Sequence, residues 1–169
     1  MALDPRQRRF CDVFAPGLIE RIETLGPGDF EPDGPELDCV GLDAVEGVAL
    51  KLRYTMTDGM SVEIRSRWWL RPGCSPYVPH TRKLKPAEWD RYSYGMHYGH
   101  SFLKVVFRID LDSNNGHHVH MRPNTDTHVP AESVEPDTRD MDAHRFIEMV
   151  AKYRRDKVYP LKTKRKRRP

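Results

Sequence analysis

The sequence predicts an α+β fold: an antiparallel sheet of about four strands, with short helices at its N-terminal end and a C-terminal amphipathic helix packed on it. Three observations carry that expectation. Two runs alternate apolar and polar residues on either side of Asp58-Gly59, a third alternation passes through a polar turn into a histidine-rich strand, and helical periodicity returns near the end of the chain.

Residues 4–15 place Phe10, Val13 and Phe14 on one helical face, and 18–25 do the same with Ile19 and Ile22. Pro16-Gly17 is expected to divide them into two short helices. Residues 26–38 are rich in Gly, Pro and acids and read as a loop. The hairpin follows: Val48, Leu50, Leu52, Tyr54 and Met56 alternate with polar partners, and Met60, Val62, Ile64 and Ser66 resume the pattern after the turn. Beyond Trp68-Trp69-Leu70, a Pro- and Tyr-rich passage reaching Tyr98 reads as a long loop, with one helical turn after Pro86. Residues 101–111 alternate again, Asp112-Ser113-Asn114-Asn115-Gly116 supplies a turn, and 117–121 form a short returning strand. The last element is a helix over 138–157 with Phe146, Met149, Val150 and Tyr153 on one stripe. Asp140 and Asp142 lie near its start and Lys152, Arg154, Arg155 and Lys157 near its end, as the helix dipole favours.

The 169 residues, 38% hydrophobic, suit one core, so residues 1–160 are expected to form a single domain followed by a basic, disordered tail over 161–169. No apolar run approaches the roughly 18 residues of a membrane span, and the opening segment with Asp4, Arg6, Arg8 and Arg9 has no apolar export region. A cytoplasmic protein with no membrane partner is therefore expected. Cys11, Cys39 and Cys74 are odd in number and widely spaced, which argues against a disulfide framework or a zinc ribbon. The formal charge of +3 conceals a polarity, because Lys162, Lys164, Arg165, Lys166, Arg167 and Arg168 crowd the C-terminus. Without those cations the remainder is about −3. Such a tail is either a solvated appendage or a contact for phosphate backbone, where each neutralised phosphate releases a counterion.

The residue types that carry chemistry concentrate in Gly116-His117-His118-Val119-His120-Met121. In a strand, His118 and His120 share a face about 7 Å apart while His117, Val119 and Met121 take the other. If the turn centres on Asn114-Asn115, Arg108 and Asp110 on the preceding strand come alongside them. Imidazoles transfer protons near neutrality, a carboxylate fixes their tautomer, and a guanidinium grips phosphate, which together make a metal-free ribonuclease site that needs no cofactor. No serine or cysteine lies beside them as a nucleophile, which favours acid/base chemistry on the 2′-hydroxyl of RNA. The same His-x-His also suits a metal, with further ligands from His97, His100 or His128, or ordinary surface. Tyr92, Tyr94 and Tyr98 in the Tyr-rich loop, and Trp68 beside Trp69, suit either base stacking or packing. His80 and His144 have no pattern around them and read as structural.

Arg108-Ile109-Asp110, a Gly-containing turn, His118-Val119-His120 and a following amphipathic helix together resemble the TumE-type toxins of bacterial toxin–antitoxin modules, in which an Arg-Tyr-Asp segment precedes a His-x-His strand. Ile109 stands where that family usually has tyrosine, and Leu111 where asparagine commonly follows the aspartate. The resemblance implies a growth-inhibiting protein that acts on RNA and is neutralised by an antitoxin partner.

The leading expectation is accordingly a toxin-like, metal-independent ribonuclease. In it Arg108 holds phosphate, His118 and His120 serve as base and acid, and Asp110 orients one of them, while Trp68, Tyr94 and the tail from Lys162 to Arg168 bind nucleic acid. The alternative is a non-enzymatic accessory protein of a phage or mobile element that holds nucleic acid or a protein partner. A third class is a metal-dependent hydrolase built on His118, His120, Asp110 and a histidine of the Tyr-rich loop.

Overall fold

Strands whose every second residue is apolar build a sheet with one face that has to be covered, and that requirement organises the molecule. The computed structural model describes residues 8–32, 34–42, 45–69, 91–98, 104–112, 114–139 and 141–164, with only the backbone for 38–42, 45–46, 68–69 and 91. Eight strands form one antiparallel sheet: β1 (Gly28–Phe30), β2 (Glu36–Leu42), β3 (Val45–Met56), β4 (Met60–Trp69), β5 (Arg91–Tyr98), β6 (Val105–Asp112), β7 (Gly116–Met121) and β8 (Asn124–Pro130). Their order is β1-β3-β4-β5-β6-β7-β8, and β2 also pairs with β3. At 12 residues, β3 is long enough to take β2 along Val45–Lys51 and β1 along Tyr54–Met56 on the same edge. A separate two-stranded ladder joins β9 (Val134–Glu135) to β10 (Lys162–Thr163). Helix α1 opens with a π-helical turn, Phe10–Phe14, and continues as Ala15–Glu23; α2 is Ala143–Asp156.

The apolar face gathers Leu50 and Leu52 of β3, Val62 and Ile64 of β4, Tyr92, Tyr94 and Met96 of β5, Phe107, Ile109 and Leu111 of β6, and Val119 of β7. Phe146, Ile147 and Val150 of α2 and Phe14, Leu18 and Ile22 of α1 bury against it. Phe146 lies among the rings of Tyr94 and Phe107, with centroids 5.6 and 5.7 Å away. Burial of such a ring is worth about 1.5–3 kcal/mol, so the central strands are held chiefly by α2. The opposite face carries Lys51, Arg53, Glu63, Arg65, Ser93, Arg108, Asp110, His118 and His120 in register across β3 to β7.

The α+β class agrees with expectation, but the sheet has eight strands where about four were expected. The stretch read as a Gly/Pro loop contains β1 and the start of β2. Gly28 permits this, because a Cβ there would lie 2.3 Å from the Thr55 carbonyl oxygen. The Tyr-rich passage yields β5, in which Tyr92, Tyr94 and Met96 turn inward while Ser93, Gly95 and His97 share the other side. Strand β8 is composed mostly of polar residues and gave no apolar alternation. The hairpin of β3 and β4 turns at Asp58-Gly59 as expected, with the Gly59 amide donating to the Met56 carbonyl at 2.9 Å.

Pro16-Gly17 does not divide two helices. Proline stands at the junction where the π turn leads continuously into the α-helical segment, so its missing N–H drops one bond where the hydrogen-bond spacing already changes. Helix α2 starts later than its periodicity suggested, at Ala143, because the Asp142 carboxylate caps it by accepting from the Arg145 amide at 2.8 Å. The domain also continues past residue 160. Leu161 is buried, β10 pairs with β9, and the Lys164 amide donates to the Ser133 carbonyl at 2.8 Å. Among the described residues no helix is long and apolar enough to cross a membrane. The helical turn expected after Pro86 lies outside the described residues.

Two substitutions test this arrangement. Phe146→Ala is expected to lower the unfolding free energy by about 3–5 kcal/mol in equilibrium urea denaturation. Gly17→Ala, which meets no atom within 4 Å, is expected to raise it, whereas Gly28→Ala forces a Cβ onto Thr55 and lowers it.

Candidate active site

The turn between β6 and β7 fixes which residues meet. Asp112 accepts from the amides of Asn114 and Asn115, each at 2.7 Å, and Gly116 takes a φ of 63° that favours glycine. In the resulting register Arg108 lies opposite His120 and Asp110 opposite His118, all on the polar face. The structure therefore brings together the four side chains that the sequence singled out.

Asp110 is the centre of the cluster. Its Oδ2 lies 2.6 Å from Arg108 Nε, 3.4 Å from His118 Nε2 and 3.2 Å from His120 Nε2. Burial alone would push the carboxyl up, but the contacts with His118, His120 and Ser93 and the charge of Arg108 outweigh it. The group is held well below the ordinary carboxylate range.

The hydrogen bonds give the two imidazoles different settings. Arg108 Nη2 lies 2.7 Å from His120 Nε2, and a guanidinium has only hydrogens to offer, so Nε2 presents its lone pair. The proton of His120 then sits on Nδ1 and is donated to the Thr125 carbonyl at 2.8 Å. His118 donates from Nδ1 to the Gly116 carbonyl at 3.1 Å and turns Nε2 toward Asp110. Burial pulls His118 down, but Asp110, the Gly116 carbonyl and Asp112 outweigh it and raise it above the usual imidazole value. His118 thus holds its proton more tightly than a free imidazole does.

His128 of β8 completes a triangle of rings, its centroid 4.5 Å from that of His118 and 4.8 Å from that of His120. A register shift between Val119 and Met121 aligns this edge strand with β7. On the other side of Asp110, a cleft of about 440 Å³ is walled by Arg65, Ser93, His97, Arg108, Asp110 and Asp112. It adjoins a second cleft of about 440 Å³ that shares Arg65, Tyr92, Ser93 and Asp112 and runs on past Lys51 and Arg67. Together they make a groove across β3 to β6 that ends at the buried carboxylate.

His97 is fitted into that groove by a glycine: a Cβ on Gly95 would lie 2.5 Å from the His97 Nε2. Its ring is 3.6 Å from Glu63 Oε2, and burial, aided by Arg53, Arg108 and Arg65, outweighs Glu63 and lowers it below the usual imidazole value.

Other expected contacts fall elsewhere. Tyr94 cannot stack a base, because it is wholly buried, stacked on Tyr92 with centroids 4.5 Å apart. Lys162 and Lys164 are exposed on the β9–β10 side, where Lys164 Nζ donates to the Glu132 carbonyl at 2.7 Å. The side chain of Trp68, all of His100, and Arg165, Lys166, Arg167 and Arg168 lie outside the described residues. The sequence reading missed Glu63, Arg65 and Ser93 as groove residues. The alternation Ser93, Gly95, His97 against Tyr92, Tyr94, Met96 was the signal available. Compared with protein families, curated proteins and solved structures, the chain shows no match.

The raised value of His118 means that the folded state binds its proton more tightly than the unfolded chain does. That stabilisation is fully present below about pH 6.5, the unfolded value, and is lost as pH rises through the folded one. The stability gap between the parent and His118→Gln, read by urea denaturation, is therefore expected to be widest near about pH 5.5 and to narrow by about pH 8.5.

Proposed function

We propose that the protein cleaves RNA by metal-independent acid/base catalysis on the polar face of the sheet, in the manner of a toxin held in check by a protein antitoxin. The observation that carries this reading is the shared Asp110 Oδ2, with His118 drawn to it on one side and His120, turned to Arg108, on the other. Two adjacent imidazoles in different settings are what a general acid and a general base require.

In this reading a phosphate replaces His120 as the acceptor for the Arg108 guanidinium, which binds non-bridging oxygens. The freed Nε2 lone pair of His120 takes the proton of the 2′-hydroxyl as O2′ attacks phosphorus. His118 gives its Nε2 proton to the departing O5′ as the P–O5′ bond breaks, leaving a 2′,3′-cyclic phosphate. Asp110 keeps His118 protonated until transfer and touches no substrate atom itself. The groove past Arg65 and Lys51 gives the strand a path, although both cations are paired with carboxylates, Arg65 with Glu63 and Lys51 with Glu36. The resemblance around Arg108 to His120 supports a toxin role.

Purified protein should cut an RNA oligonucleotide, and the same oligonucleotide with a 2′-deoxy residue before the scissile phosphate should survive. His120→Ala and His118→Ala are each expected to slow cleavage by about 10²–10⁴-fold. Induced in a bacterial host, the parent should arrest growth with loss of total RNA. If the double variant His118→Ala, His120→Ala cut RNA as fast as the parent, the proposal would be wrong. Were the accessory-protein reading correct, loss of residues 162–169 would abolish binding while the double variant would bind normally.

A further inference from the structure

The mechanism uses two of three converging histidines and leaves the third, His128, without a task. One ligating nitrogen from each of His118, His120 and His128 can be chosen so that all three lie within 4.8 Å of one another. Nitrogens on one tetrahedral zinc ion stand about 3.3 Å apart, as bonds of about 2.0 Å require, so the rings have to draw closer to share an ion. His128 is free to move, because it is exposed on an edge strand.

The other two rings are already set. His118 and His120 commit Nδ1 to the carbonyls of Gly116 and Thr125, which leaves Nε2 as the ligating atom in each. A histidine whose far nitrogen is tied to a carbonyl is the usual support of a metal ligand. Asp110 Oδ2, at 3.4 and 3.2 Å from those two Nε2 atoms, lies beside them and neutralises part of the ion's charge. Imidazole donors with one carboxylate select ions of the zinc class, and disfavour magnesium and calcium, which prefer all-oxygen shells. The group that has to leave is the Arg108 guanidinium, which is about one-third exposed and can swing into the groove.

We propose that His118, His120 and His128 form a site for one divalent transition-metal ion, and that its occupation silences cleavage by taking the His120 lone pair that serves as base and displacing the His118 proton that serves as acid. The site itself stands on geometry; the silencing rests on the function proposed above.

Cobalt(II) serves as the probe, since its visible absorption reports nitrogen ligation without any assay of activity. Titration of the full chain is expected to show one cobalt per chain, displaced by zinc. His128→Gln, which alters an exposed residue, should weaken binding by about 10-fold or more while circular dichroism shows an intact fold. Absence of stoichiometric binding, or equal binding by His128→Gln, would overturn the site and leave the proposed cleavage standing. In the cleavage assay, one equivalent of zinc is expected to stop the parent and a chelator to restore it. Cleavage that requires the metal would overturn the silencing and the metal-independent mechanism together. If the parent cuts no RNA under any condition, the silencing and the proposed function fail, and the cobalt titration still decides the site.

Discussion

A slip of one residue in the β6–β7 ladder would carry His118 and His120 under the helices, away from Asp110, and turn Val119 out to water. Everything functional in this protein depends on that register. It is held from both ends: Asp112 and Gly116 set the turn, and burial of Phe107, Ile109, Leu111 and Val119 penalises the alternative. The turn decides where pairing starts, and the core decides which face is which.

The register also explains how a carboxylate can be almost fully buried in a sheet. Asp110 faces the polar side, where Arg108 and two imidazoles converge on one oxygen and Arg108 and His118 offset its charge. Arg108 and His120 Nε2 are both engaged with a neighbour rather than with solvent, and a phosphate or a metal ion would replace an existing contact with a stronger one. The cluster is in this sense a set of interactions that an incoming charge can rearrange without unfolding anything.

What the sequence made legible was what repeats with a clear period. The β3–β4 hairpin, the β6–β7 hairpin and the stripe of α2 all declare themselves through apolar spacing, and the meeting of Arg108, Asp110, His118 and His120 follows from strand geometry once the turn is placed. Half of the sheet was not legible in this way. β1 and β2 are specified by the spare edge of the long strand β3, and β8 by the edge that β7 leaves open, neither of which is a local property. β5 hid behind the habit of reading tyrosine and glycine as loop. The proton states of His118 and His120 were beyond sequence altogether, since they turn on the positions of two backbone carbonyls and one guanidinium.

The edge strand β8 has a further consequence. An open sheet edge offers unpaired backbone groups to any second chain, and proteins blunt such edges with charge, proline or irregular pairing. Strand β8 has all three: the exposed carboxylate of Asp126, Pro130 at its end, and a shifted register against β7. Histidine-bearing backbone can therefore stay in water at the rim of the sheet with little to template a second strand.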